Sequence, residues 1–377
     1  MSSTTETGPR NTPFEKLHER FGGQMVDYAG WNLPLRFGSV IEEHRAVRAS
    51  GGLFDVSHMG RLRFMGPDAC RFLDRVCTRQ IHGMSEGQCR YSLVCNEQGG
   101  CRDDVLVYRM ESESYLMVCN AANRDKLIAH FAEHSPDFDV SIDDQTLATA
   151  MCAIQGPRVM DLIGGVSREI PALKRFRFTI KDLMVIKVIV SRTGYTGEDG
   201  VEVILDAKMA KPALEMFLKD FGENDSMVRP CGLAARDTLR LEAAMPLYGH
   251  ELTEDIDPLS AGLGFAVKLD KGVEHPEVGG FIGQQALQEV ADRGPARRLV
   301  GLLPEGRRSP RQHMQVLDGD RVVGEVTSGC LSPTLDRPIA MAYVDVACCS
   351  PDTSLQIDLG RAKVPATTCE LPFYKRP

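Results

Sequence analysis

Apolar residues recur at helical spacing in two opening segments. Phe14, Leu17 and Phe21 form one stripe. Thr12-Pro13-Phe14-Glu15 ahead of it reads as a capping box, and Gly22 behind it as a stop. Ser39 and Glu42 repeat the box before a second helix, which Gly51-Gly52 would end. Between the two, MVDYAGWNLP is aromatic, rich in turn formers and holds the only tryptophan, Trp31. From 59 to about 143 the period switches. Leu62 and Phe64 alternate with Arg61 and Arg63 as in a strand, then Ala69, Phe72, Leu73 and Val76 return to helical spacing. YSLVCN, DVLVYRM and SYLMVCN read as consecutive antiparallel strands, the first two joined by a turn at Glu97-Gln98-Gly99-Gly100. Leu127, Ile128 and Phe131 mark another helix, and DFDVSI a last strand. Strand, helix, strand group, helix, strand is a ferredoxin-like order with one extra strand.

Residues 148–206 predict three further strands around a helix near 157–164, and residues 209–221 and 233–244 predict helices. Beyond about 295 no helical period survives. RRLVGLLPE, MQVLDGDRVVGEV, IAMAYVDVA and SLQIDLGRAKVPATTCELPF are short strands separated by Gly, Pro and Asp turns, with a hairpin signal at Asp318-Gly319-Asp320. A small separate β-barrel or sandwich is expected there.

Length and charge narrow the classes. At roughly 150 residues per domain, 377 residues suggest two or three domains. Forty-four Lys and Arg against 52 Asp and Glu give a net charge of -8, which argues against generic nucleic-acid or anionic-membrane binding. The richest apolar run, Leu183 to Val190, is far short of a span and carries Lys187. MSSTTETGPRN lacks the apolar stretch of a secretory signal and reads as a short polar tail. Twelve cysteines show no CxxC pair and are expected as reduced, small packing residues, with a cytoplasmic location.

The familiar chemical signatures fail. There is no GxxxxGK[ST], no GxGxxG after a strand and no GxSxG. His130 and His134 stand one helical turn apart, but no third ligand is evident, so two solvated histidines and no metal are expected. What remains is acidic residues in unusual places. Asp103 and Asp104 open the strand DDVLVYR, and alternation puts their side chains on opposite faces. At most one can look into a shared pocket, leaving the other for a turn or the surface; both could merely end a hairpin. Glu202 interrupts the β-forming run GVEVILD, where a charge is costly to bury unpaired. Its two acceptor oxygens suit an edge with two adjacent N–H donors, such as an aminopyrimidinone, and equally an Arg guanidinium. The loop SRTGYTGEDG before it has glycines at 194, 197 and 200, which permit close approach to a ligand, with Tyr195 placed for stacking or hydrogen bonding. In GLAARDTLRLEA, Arg236 and Arg240 lie beside Asp237 and Glu242, as in intrahelical ion pairs or an anion site.

Together these segments resemble one family, the aminomethyltransferase or T-protein of the glycine cleavage system. The matching strings are TPFEKLHERFGGQMVDYAGWNLPL, FDVSHMG, YSLVCNEQGGCRDDVLVYR, VCNAANRDK, AIQGP, SRTGYTGEDGVE, GLAARDTLRLEA, LYGHEL and EVTSGCLSPTL, in family order from about residue 12 to 345. The resemblance implies an α+β, three-domain folate-binding architecture. Residues 12–55 plus 144–256 would form a discontinuous folate-binding domain, 56–143 a ferredoxin-like domain, 257–294 a connecting segment and 295–377 a C-terminal β-barrel. It implies tetrahydrofolate as acceptor and, as partner, an H-protein whose lipoyl arm carries the aminomethyl group. The products would be 5,10-methylenetetrahydrofolate, ammonia and the dihydrolipoyl carrier. By position, Asp104 matches the family's catalytic Asp, Glu202 the carboxylate that holds the pterin, and Tyr195 and Arg236 folate-pocket residues, with Tyr91 and Asn120 lining that pocket.

Departures from the family pattern are few. The chain stops at FYKRP where relatives often run longer, so either Tyr374 or Arg376 substitutes for a late folate contact or that contact is absent. Arg175 and Arg177 stand where some relatives carry tyrosines and would suit an acidic folate tail, while Cys101 replaces an aliphatic turn residue. Another tetrahydrofolate-dependent methyltransferase or demethylase of the superfamily, acting on a small substrate, would share the folate pocket but need no carrier. A non-catalytic iron–sulfur maintenance branch relies on a KGCYxGQE-type motif, whereas this chain has TGYTGEDG there, without cysteine.

Overall fold

The computed structural model describes residues 8–183, 186–217, 226–273, 276 and 279–376. The chain divides into two compact units. The first comprises Met1–Gly60, Asp144–Gly194 and Glu198–Asp237; the second comprises Arg61–Asp143, Tyr195–Gly197 and Thr238–Pro377.

The first unit is built on a six-stranded sheet. Its order is Phe178–Leu183, Ile186–Ser191, Gly200–Asp206, Thr149–Gln155, Gly52–Asp55 and Arg229–Pro230. Four of these strands fall within 148–206, one more than the sequence pattern predicts. The additional one, Phe178–Leu183, carries Lys181 and Asp182 and hides its alternation. Val188, Val190, Val201 and Leu205 pack with Phe14, Ile170 and Leu214 into one apolar core. Helices Val159–Gly164 and Ala210–Phe217 lie near their expected places; the remainder of the second expectation, 218–221, falls outside the described residues.

MVDYAGWNLP folds as a hairpin of Gln24–Tyr28 and Trp31–Arg36 around Ala29 and Gly30, both at positive φ. That turn matches the twist of the flanking strands. Residues 1–7 of the expected polar tail lie outside the described residues, but Arg10–Asn11 already pairs in parallel with Trp31 and Asn32.

Neither capping box forms. The first helix is only Glu15–Arg20, and the Thr12 hydroxyl donates to Asp55 Oδ2 at 2.5 Å while accepting from the Phe14 N–H. At the second helix, Val40–Ala49, Ser39 makes no side-chain cap. Glu43 does the anchoring instead: Oε1 accepts from the Phe37 and Gly38 N–H groups and Oε2 from Gly232. A capping serine is ordinarily worth about 1 kcal/mol. Ser39→Ala is therefore expected to change stability by less than about 0.5 kcal/mol, as urea unfolding would measure.

The second unit holds the ferredoxin-like sheet, in the order Gln88–Cys95, Cys101–Glu111, Ser114–Cys119, Gly60–Met65, Ser141–Asp144. Helices Ala69–Val76 and Arg124–His134 supply Phe72, Leu73, Leu127 and Phe131 to a core shared with Leu62, Phe64, Val105 and Val107. The last strand starts at Ser141, later than DFDVSI suggests. The C-terminal segment closes into a six-stranded barrel, Arg297–Pro304, Arg337–Asp345, Arg321–Ser332, Gln315–Asp318, Ser354–Asp358 and Lys363–Cys369. Closure leaves no strand edge unpaired, and Gly319 turns the hairpin expected at 318–320 with φ of +63°. Nine of the twelve cysteines are buried, and all twelve are free thiols. His130, expected to be solvated, is buried. Among the described residues no helix is long and apolar enough to cross a membrane.

Candidate active site

In the second unit, strand register assembles an acidic cluster. Leu106 pairs with Tyr91 on one neighbouring strand and with Val118 on the other. Asp104 lies two residues before Leu106 and so shares its face, within diagonal reach of Tyr91. Continuing the second register by two residues puts Asn120 opposite Asp104. Side chains complete the arrangement: Tyr91 donates its hydroxyl to Asp104 Oδ2 at 3.1 Å, and Asn120 Nδ2 donates to Asp104 Oδ1 at 2.8 Å.

Asp103 departs from expectation. It faces the other way, as alternation requires, but it is neither a turn nor a surface group. It is 0% exposed, and it accepts from the Asn120 N–H, Asn120 Nδ2 and Asn123 Nδ2. Asn120 thus bridges both carboxyl groups from the end of the strand. Burial and the charge of Asp104 push Asp103 up to about 8, against the pull of the asparagine donors. Burial also raises Asp104, opposed by the hydrogen bonds from Tyr91 and Asn120. Burial, then the Asp104 charge, holds Tyr91 well above the ordinary phenol range, so it remains a donor. The two acids titrate as a pair rather than separately.

Tyr195 belongs to the electrostatic neighbourhood of Tyr91. Its hydroxyl donates to the Pro246 carbonyl, so its own proton is spent and its ring is what it offers a ligand. Phe265, which no sequence pattern singles out, stacks on Tyr91 with centroids 6.0 Å apart and is 66% exposed. So large an exposed apolar ring beside polar groups is an available stacking surface.

In the first unit, Glu202 sits in a central strand, paired on one side with Ala153 and on the other with Ser191. Its neighbours Val201 and Leu205 face the apolar core; Glu202 points to the opposite face and is 6% exposed. Oε2 accepts from the Thr193 hydroxyl at 2.6 Å, which in turn meets Ser191 Oγ at 2.7 Å. Among the described residues no side chain donates to Oε1. Burial raises the Glu202 carboxyl, while the Thr193 bond and the Arg236 charge oppose it. A buried carboxylate with one oxygen held and one open can accept a paired N–H edge.

Other expectations fare differently. Gly194 and Gly200 are required by packing: a Cβ at either would collide with Gln155 or the Ile154 carbonyl, so the glycines serve the protein's own Gln155. Arg240 is buried against Glu251 at 2.8 Å and Ser328. Arg175 is exposed, with Nη2 on the Glu198 carbonyl, and Arg177 is half-buried. Tyr374 is tied by its N–H to the Glu242 carbonyl. Cys101 packs fully buried among apolar residues.

Sequence comparison extends over these same elements. The GCVT N-terminal domain matches residues 14–271, and the glycine cleavage T-protein C-terminal barrel domain matches residues 297–375. The chain belongs to the glycine cleavage T-protein family. Aminomethyltransferases of Cutibacterium acnes (43% identical, 97% of this chain and 99% of the relative) and Rubrobacter xylanophilus (46%, 97% and 95%) align along nearly their whole length. The crystal structure of the glycine cleavage system aminomethyltransferase T from Bartonella henselae superposes with a TM-score of 0.88 at 33% identity, covering 97% of this chain and 98% of that one. The α+β T-protein architecture with its terminal barrel is thereby borne out, and this T-protein is an aminomethyltransferase of glycine cleavage.

Proposed function

We propose that this T-protein takes the aminomethyl group from the lipoyl arm of an H-protein, passes its carbon to tetrahydrofolate and releases ammonia. What supports the reading most is Glu202, a carboxylate buried in mid-sheet with one oxygen uncommitted among the described residues. An aminopyrimidinone offers the adjacent N–H donors that such a group lacks. Arg236 adds positive charge beside it, which favours the ionised, accepting form against the burial that raises the carboxyl. Tetrahydrofolate, when bound, supplies the amine nucleophiles that take up the one-carbon unit.

The chain's own contribution is orientation and proton handling. Asp104, steadied by Tyr91 and Asn120, positions the amine of the transferring group and manages its proton while the C–S bond breaks and thiolate leaves. In the second unit, Tyr195 and Phe265 offer ring faces beside the Asp104 cluster. Residues 12–55 with 144–256 carry the pterin-holding carboxylate, 56–143 the reacting acid, 257–294 the connection and 295–377 the barrel.

Carrier dependence tests the proposal. With lipoylated, aminomethyl-loaded H-protein and tetrahydrofolate, ammonia is released; with small N-methyl or sulfonium donors and no carrier, no methylated folate forms. The reverse outcome would make it a small-substrate demethylase.

The Tyr91 hydroxyl has its own consequence. Its bond lowers the Asp104 carboxyl, so removing it raises that group further. Tyr91→Phe is expected to move the acid limb of the kcat profile to higher pH and to cut kcat roughly tenfold near neutrality, the worth of one charge-assisted bond. An unmoved limb would separate Tyr91 from the reacting acid.

A further inference from the structure

We propose that His130, Glu133 and His134 form a binding site for one divalent transition cation on the last turn of the helix Arg124–His134. The three side chains stand at i, i+3 and i+4, so all lie on one helix face. Their ligand atoms lie within 4.8 Å of one another, and the two imidazole rings meet edge to face at 4.6 Å. Two imidazoles and a carboxylate suit zinc, cobalt or nickel, whereas calcium and magnesium prefer all-oxygen shells.

The unusual member is His130. It is 3% exposed, yet neither ring nitrogen has a hydrogen-bond partner, and His134 Nε2 has none either. Buried polar atoms are seldom left so, because each forfeits its bonds to water without replacement. A cation shared by the two rings would satisfy one nitrogen of each. Burial, then the Arg102 charge and His134, lowers His130 to about 4, which leaves the ring neutral with a lone pair to donate. Arg102 opposes a cation there, while Glu97 and Glu254 act in its favour. The carbonyl-rich C-terminal end of the helix adds further negative potential. The same helix begins beside Asn123, which donates to Asp103, so a cation would brace the far end of the element that anchors that residue.

The test uses the full chain without a histidine tag, stripped by a chelator and titrated with Zn2+ by calorimetry and with Co2+ by absorption. The expected result is one equivalent bound, a Co2+ spectrum without thiolate charge-transfer bands, and a rise in Tm with Zn2+. His134→Ala, at a half-buried position, weakens binding about tenfold or more and abolishes the Tm rise, and Glu133→Gln weakens binding less. Absence of binding in the wild type, unchanged binding in His134→Ala, or a thiolate spectrum pointing to a cysteine site would each overturn the proposal.

Discussion

Asp104→Ala is expected to bind tetrahydrofolate like the wild type and yet to lose nearly all aminomethyl transfer, a fall of about 10²–10⁴ in kcat. The split follows from the site. Asp104 is held by Tyr91 and Asn120, and its loss leaves Asn120 still bonded to the buried Asp103, so the strand end stays in place. What disappears is the one half-buried carboxyl on that face, and with it the group that orients the amine and takes part in its proton movement. Rapid-quench ammonia release, together with folate binding by calorimetry, reads the two effects separately. Equal turnover in the variant would remove Asp104 from the mechanism. Parallel losses of binding and turnover would make it a folate ligand instead.

Glu202→Gln is expected to do the opposite, weakening tetrahydrofolate by about 1.5–3 kcal/mol while leaving the rate at saturation close to wild type. Glutamine keeps the shape and lets the Thr193 hydroxyl retain Ser191 as a neighbour, so the sheet is undisturbed. The charge is what is lost. Because burial raises the Glu202 carboxyl above its ordinary value, and the ligand's donors favour its ionised form, affinity is full at higher pH and falls as pH drops through that raised value. The pH dependence should vanish in the glutamine variant. Unchanged affinity there would return Glu202 to a purely structural role.

Much of the fold was legible because period carried it. The strands around YSLVCN, DVLVYRM and SYLMVCN, the barrel and the hairpin at Gly319 follow from alternation and turn chemistry, which are local. The helix starts differ for a physical reason: Thr12 and Ser39 are good caps in isolation, but Asp55 captures the first from far along the chain, and Glu43, within the second helix itself and tied also to Gly232, supersedes Ser39. At the site, alternation gave the faces of Asp103 and Asp104 but not what covers them. The burial of Asp103 depends on Asn120 and Asn123, whose approach to it is a tertiary contact that alternation does not encode. Thr193 carries no signal because a threonine beside Gly194 is ordinary turn material, and Phe265 none because its stacking partner is distant in sequence. Family resemblance named Asp104 and Glu202; geometry supplied the residues that hold them.

The central claim is that the Glu202 carboxylate grips the amino edge of a reduced pterin, and a double-mutant cycle on affinity tests it most directly. Tetrahydrofolate and an analogue lacking the 2-amino group are titrated into wild type and Glu202→Gln. Removing the amino group should weaken binding to the wild type and cost almost nothing further in the variant. Losses of equal size in both proteins would contradict the account, since the amino group would then be recognised elsewhere.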